Sequence, residues 1–122
     1  QVEKIENYPN IVVKNEKGIT YRYATRNKNY TLEDGRQPFD DVRVRQAMNY
    51  AFDSEMYCQV VFQGYAVKPT SIFSESIMYY APQTPYDVDL EKAKSLMAEA
   101  GYEDGFPVDI WVDNTTIEMQ GA

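Results

Sequence analysis

An α/β fold is what this sequence predicts, and two patterns carry the prediction. Residues 11–25 and 108–112 are β-branched or alternate in hydropathy, as half-buried strands do, and three stretches between them repeat apolar residues at the helical period. At 122 residues the chain is long enough for one compact domain and too short for two.

The strand signals open the chain. Ile11-Val12-Val13-Lys14 is β-branched, and Asn15-Glu16-Lys17-Gly18 carries turn chemistry. Ile19 to Thr25 then returns, with Ile19, Tyr21 and Tyr23 on one face because side chains alternate along a strand. A β-hairpin over 11–25 is expected. Residues 26–37 are polar, with a turn at Asp34-Gly35.

A first helix is expected over about 40–52. An Asp at its start, Asp40 or Asp41, accepts bonds from the free N–H groups of the first turn and suits the positive end of the dipole. Val44, Ala47, Met48, Ala51 and Phe52 form one apolar stripe. Asp53-Ser54 breaks and recaps the chain into a second helix, 54–63, with Gly64 as its stop.

Residues 65–88 are irregular, because Pro69, Pro82 and Pro85 forbid long regular elements. The stretch is nevertheless rich in aromatic and aliphatic side chains, including Phe73, Tyr79 and Tyr80. A loop of that kind either packs over a core or binds something. A third helix follows over 90–100, capped from Asp87-Val88-Asp89, with Leu90, Ala93, Leu96, Met97 and Ala100 as its buried stripe and Gly101 just past its end. Val108 to Val112 is expected as a further strand with Trp111 on the opposite face, and Thr115-Thr116 as the cap of a last helix.

Composition removes several function classes. Twelve basic against nineteen acidic residues give a net charge of −7, with no basic run, so no nucleic-acid partner is expected. Cys58 is the single cysteine, which precludes an internal disulfide; it sits in an apolar helical stretch and reads as a buried inert thiol. There is no histidine to activate it, no G-x-S-x-G elbow, no phosphate loop and no metal-ligand cluster. No catalytic residue, metal or cofactor is therefore expected, and an enzyme would be left with a Ser–Lys or carboxylate mechanism. The pairs Asp40-Asp41 and Asp87/Asp89 suit helix capping better than hard-cation binding, which needs about six oxygens arranged around a loop. Eleven tyrosines suit half-wet recognition surfaces. No apolar run approaches the roughly 18 residues of a membrane-spanning helix. The chain opens on Gln1 and stops within a forming helix, so it is expected to be an excerpt of a longer protein.

Three ordered blocks carry a resemblance. Pro38 to Asp53, Pro-Phe-Asp-Asp-Val-Arg-Val-Arg-Gln-Ala-Met-Asn-Tyr-Ala-Phe-Asp, is followed by Val60-Val61-Phe62-Gln63-Gly64-Tyr65-Ala66. Tyr86-Asp87 and Glu91 to Tyr102 come next, Glu-Lys-Ala-Lys-Ser-Leu-Met-Ala-Glu-Ala-Gly-Tyr. In order and spacing they resemble the family 5 extracellular solute-binding proteins, which include the oligopeptide- and dipeptide-binding components of ABC importers. The resemblance covers roughly residues 11–118. The loop after Gly64 departs from the family form, with no proline after Ser71.

The resemblance implies part of the C-terminal lobe of a bilobal periplasmic-binding-protein-like (type II) fold. It also implies a non-enzymatic function: capture of oligopeptides or dipeptides in an interlobe cleft by hinge closure. The implied partners are a peptide ligand and, through the full-length parent, an ABC permease and ATPase complex. The implied location is extracytoplasmic, either periplasmic or as a cell-surface lipoprotein of a Gram-positive organism. Phe73, Tyr79 and Tyr80 are the local candidates for lining a cleft, since apolar walls with a few polar handles suit varied peptides. Arg43 and Arg45 suit either a peptide carboxylate or acidic neighbours within the lobe. The alternatives are a non-peptide solute, such as a metal chelate or oligosaccharide, and a surface adhesion module, suggested by tyrosine content and acidity. Half a lobe exposes apolar surface that would meet the missing half, so the chain alone is expected to self-associate, for instance as a dimer.

Overall fold

The structure, a computed structural model, describes residues 8–14, 16, 18–20 and 22–111. A single 3-10 turn over Pro38–Asp40 leads into three helices: α1 (Val42–Ala51), α2 (Ser54–Phe62) and α3 (Leu90–Glu99).

Each helix begins on an aspartate whose carboxylate takes up one of the first N–H groups that lack a helical partner. Asp41 accepts from Arg43 N at 2.8 Å, Asp53 from Met56 N at 2.8 Å and Asp89 from Lys92 N at 2.9 Å. The α3 exit is a Schellman closure: Gly101 turns left-handed at φ 80°, its N–H reaches Ala98 O, and Tyr102 N reaches Met97 O at 2.8 Å. At the end of α2 the left-handed step falls first on Gln63, φ 52°, and continues through Gly64.

α1 and α3 pack on each other, and the core lies at one end of that pair. Phe39, Val44 and Tyr102 are buried, with Tyr30, Leu32, Met97, Ala100 and Phe106 packed around them. The Phe39 ring stands edge-on to Phe106 at 5.5 Å between centroids, and Phe106 edge-on to Tyr102 at 5.1 Å, geometry that aromatic quadrupoles favour. Small residues let the helices approach: Ala47 of α1 and Ala93 of α3 are both buried. α2 stands apart from this pair; Cys58 is its one buried residue, while Met56 and Val60 face solvent. Burial and nearby Glu55 push the Cys58 thiol above its ordinary value, as suits an inert thiol.

The expected α/β architecture is overturned: among the described residues there are three helices and no strand. The described residues of the expected hairpin at 11–25 and of the expected strand at 108–112 form no strand, so the described segment is not the mixed α/β lobe the sequence predicts. Asn15, Lys17, Tyr21 and Val112, which belong to those two expectations, and the cap at Thr115-Thr116 lie outside the described residues. The physical reason is visible in the exposure of the rest. β-propensity expresses fit to a pleated, half-buried surface, and an isolated two-stranded ribbon is marginal in water. Val12, Ile19 and Tyr23 are 82%, 66% and 73% exposed, and Ile110 and Trp111 are 80% and 93% exposed. With no apolar face covered, alternation alone does not select a ladder.

Candidate functional site

Three surfaces carry the chemistry this segment offers. The first is the proline-interrupted loop between α2 and α3. Its base is tied by Gln83 N donating to Thr70 O at 3.0 Å and by Lys68 Nζ paired with Asp87 at 3.1 Å. Within it Phe73 is 54% and Tyr79 94% exposed, and Tyr80 is half-buried with its hydroxyl hydrogen-bonded to that of Thr70. Tyr79 takes φ 66°, a left-handed conformation that bulky residues rarely adopt. Ser74 Oγ donates to Gly18 O at 3.1 Å, which ties the loop to the N-terminal segment.

The second surface is an apolar groove of about 340 Å³ along the seam of α1 and α3. Ala47, Met48, Ala51, Leu90, Ala93 and Met97 line it, with Lys94 and Glu103 among its polar lining. Met48 and Ala51 belong to the stripe that periodicity assigns to a core. Here only Val44 and Ala47 of that stripe are buried, while Met48, Ala51 and Phe52 stand open.

The third surface lies on the other flank of Met48. A cleft of about 320 Å³ is lined by Arg26, Met48, Ala51 and Phe52. Arg26 is half-buried, and its recorded partners are neutral: Nε donates to Met48 Sδ at 3.3 Å and Nη2 to Asn49 Oδ1 at 3.1 Å. Burial first, and then the neighbouring Arg45, pull the Arg26 guanidinium below its ordinary value. Among the described residues no carboxylate forms an ion pair with Arg26.

The arginines singled out from sequence are occupied structurally. Arg43 forks onto Asp41, with Nη2 at 2.6 Å from Oδ2, and its Nη1 donates to Glu99 O at 2.7 Å. Arg45 Nη1 donates to the carbonyls of Phe39 and Asp40, each at 2.8 Å, and so holds the 3-10 turn against α1. Trp111 is open to solvent at the end of the described chain. Among the described residues no cluster of three or more His, Cys, Asp and Glu could hold a metal ion, and no helix is long and apolar enough to cross a membrane. Sequence reasoning passed over Arg26. Its partners lie 22 and 23 positions away, and nothing local sets it apart from Arg22 and Lys28 nearby.

Comparison with known proteins places this geometry in context. The sequence model for bacterial extracellular solute-binding proteins, family 5 middle, matches residues 1–120. Heme-binding protein A of Haemophilus influenzae is 36% identical over 110 residues, 89% of this chain and 19% of that protein. Glutathione-binding protein GsiB of Escherichia coli K12 is 34% identical over 111 residues, 91% of this chain and 20% of that protein. The GsiB of Salmonella typhimurium is 41% identical over 75 residues, 62% of this chain and 15% of that protein. The chain thus spans about a fifth or less of the length of these relatives.

Proposed function

This chain belongs to the bacterial extracellular solute-binding proteins, family 5, and from that membership we propose that it is one segment of a peptide-capture protein serving an ABC importer. The solute is an oligopeptide or dipeptide. It is held in a cleft between two lobes that close by hinge motion and is delivered unaltered to a permease and ATPase complex outside the cytoplasm, either in the periplasm or from a surface lipoprotein. The observation that carries the reading is the family match over residues 1–120, nearly the whole chain. The peptide assignment draws on two relatives named for glutathione, itself a short peptide.

Phe73, Tyr79 and Tyr80 are the proposed ligand-facing residues of this segment. Support comes from the exposure of Phe73 and Tyr79, from the left-handed Tyr79 backbone and from a loop base fixed at Thr70 and Lys68. Strained backbone persists where its surroundings hold it, and binding loops are common places to find it. The chain by itself is further proposed to self-associate through the open seam of α1 and α3.

Isothermal titration of the full-length protein with dipeptides, glutathione and heme tests the capture reading. Saturable heat with a peptide is expected. Heat with heme and none with any peptide would replace the peptide by a non-peptide solute, a second reading favoured by the heme-named relative that aligns over 89% of this chain. No heat with any small solute would remove capture itself.

A further inference from the structure

We infer that Arg26, with the apolar wall of Met48, Ala51 and Phe52, forms a binding site for a carboxylate carried on an apolar body. This goes beyond the capture reading, since it assigns a local site whatever solute the whole protein takes.

A half-buried cation keeps part of its hydration and is further stabilised by an opposite charge or by additional acceptors. Arg26 has neither among the described residues. A guanidinium carries five N–H donors, and the two recorded bonds, to Met48 Sδ and Asn49 Oδ1, engage Nε and Nη2 only. Those two contacts hold the Nε–Nη2 edge of the fork against α1, and no bond from Nη1 is seen among the described residues. A carboxylate matches that planar fork in geometry and charge. Arg45, close enough to depress the Arg26 guanidinium, adds a second positive field at the same place.

The rest of the cleft selects what the carboxylate is attached to. Its other lining residues are a thioether, a methyl group and a phenyl ring on an open, shallow depression, which can take one face of a small apolar body. Inorganic phosphate would satisfy the charge and leave that wall uncovered. A leucine-like acid satisfies both. Met48 contributes twice, its sulfur to the guanidinium and its methylenes to the wall, as its flexible, polarizable side chain allows.

The test titrates the full-length protein with N-acetyl-leucine, N-acetyl-leucinamide and inorganic phosphate, followed by NMR shifts or calorimetry. Saturable binding of the acid is expected, with the amide about tenfold or more weaker, because hydrogen bonds to charged groups are the strong ones. Arg26→Gln is expected to weaken the acid to the level of the amide. Equal binding of acid and amide overturns the inference, as does phosphate competing as well as the acid. Absence of acid binding also overturns it; a lower Tm for Arg26→Gln would then assign the guanidinium to an acidic residue of the protein itself. Should Arg26→Gln fail to fold, Phe52→Ser, at an exposed position of the apolar wall, is expected to weaken the acid, and unchanged acid binding in that variant overturns the inference.

Discussion

Arg43 and Glu99 tie the two packed helices end to end. From the first turn of α1 the Arg43 guanidinium donates to the Glu99 carbonyl at the last residue of α3, 2.7 Å away. That carbonyl is among the four that no helical N–H can reach, and a cation there complements the negative end of the dipole. The same guanidinium is forked onto Asp41, which also caps α1. One guanidinium therefore joins the start of one helix to the end of the other.

A pH dependence follows from the fork. Hydrogen bonds from the Arg43 side chain and backbone hold the Asp41 carboxyl below its ordinary range. A depressed carboxyl stabilises the fold above its unfolded value, about 4, and that contribution is lost as pH falls through the lower folded value. Urea midpoints are therefore expected to drop between neutral and strongly acidic pH. Arg43→Met should flatten part of the drop and leave the share owed to Asp34, whose carboxyl Arg36 holds down in the same way. Identical pH slopes in the two proteins would remove the fork from the account.

Phe39 is the pivot of the core, 4% exposed and in ring contact with Tyr30 and Phe106. Phe39→Ala is expected to cost about 3–5 kcal/mol, the usual range for emptying a buried aromatic site. Phe39→Leu keeps most of the volume and should cost under about 2 kcal/mol. Chemical denaturation measures both; a leucine variant as stable as the parent would mean that the ring packing contributes nothing beyond filling space.

Gly101 is where backbone conformation, not space, sets the residue. An added Cβ would meet nothing within 4 Å, yet φ is +80°. Gly101→Ala should therefore cost about 1–2 kcal/mol from the left-handed backbone alone. Tyr102 is buried two positions beyond the cap residue, so loss of the closure should also disturb its ring, readable in near-ultraviolet circular dichroism. An unchanged Tm would show that the exit of α3 does not depend on this turn.

What the sequence disclosed and what it hid divide along one line. Capping carboxylates and the Val44–Ala47 stripe act over three or four residues, and a helix satisfies its own backbone, so local pattern is nearly sufficient. Val12, Ile19 and Ile110 carry an equally clear strand signal, but a strand needs a partner that local pattern does not supply. Met48, Ala51 and Phe52 show the same limit on a helix: periodicity puts them on the face of Val44 but cannot say whether anything covers it. Arg26 escaped because its partners sit on an element more than twenty positions away. The family blocks were legible because their residues, order and spacing are matched together over most of the chain.

The seam of α1 and α3 gives the last prediction. Met48 is 38%, Leu90 54% and Phe52 55% exposed, and Met48 and Leu90 line one groove with Ala51 and Met97. Contiguous apolar surface of this kind gains roughly 25 cal/mol for each Å² removed from water, so two copies of the chain that bury it together are more stable than two that leave it wet. The isolated 122-residue chain is expected to sediment as a dimer or larger species as its concentration rises. Met48→Lys places a charge in the groove that neighbouring Arg26 does not neutralise and should return the chain to a monomer. Leu90→Glu should do the same while sparing helix stability, because an acid in the first turn of α3 suits the dipole. Far-ultraviolet circular dichroism confirms that each variant keeps its helices, so loss of association is not mistaken for unfolding. A wild-type chain that stays monomeric at millimolar concentration would exclude the seam as a self-association face.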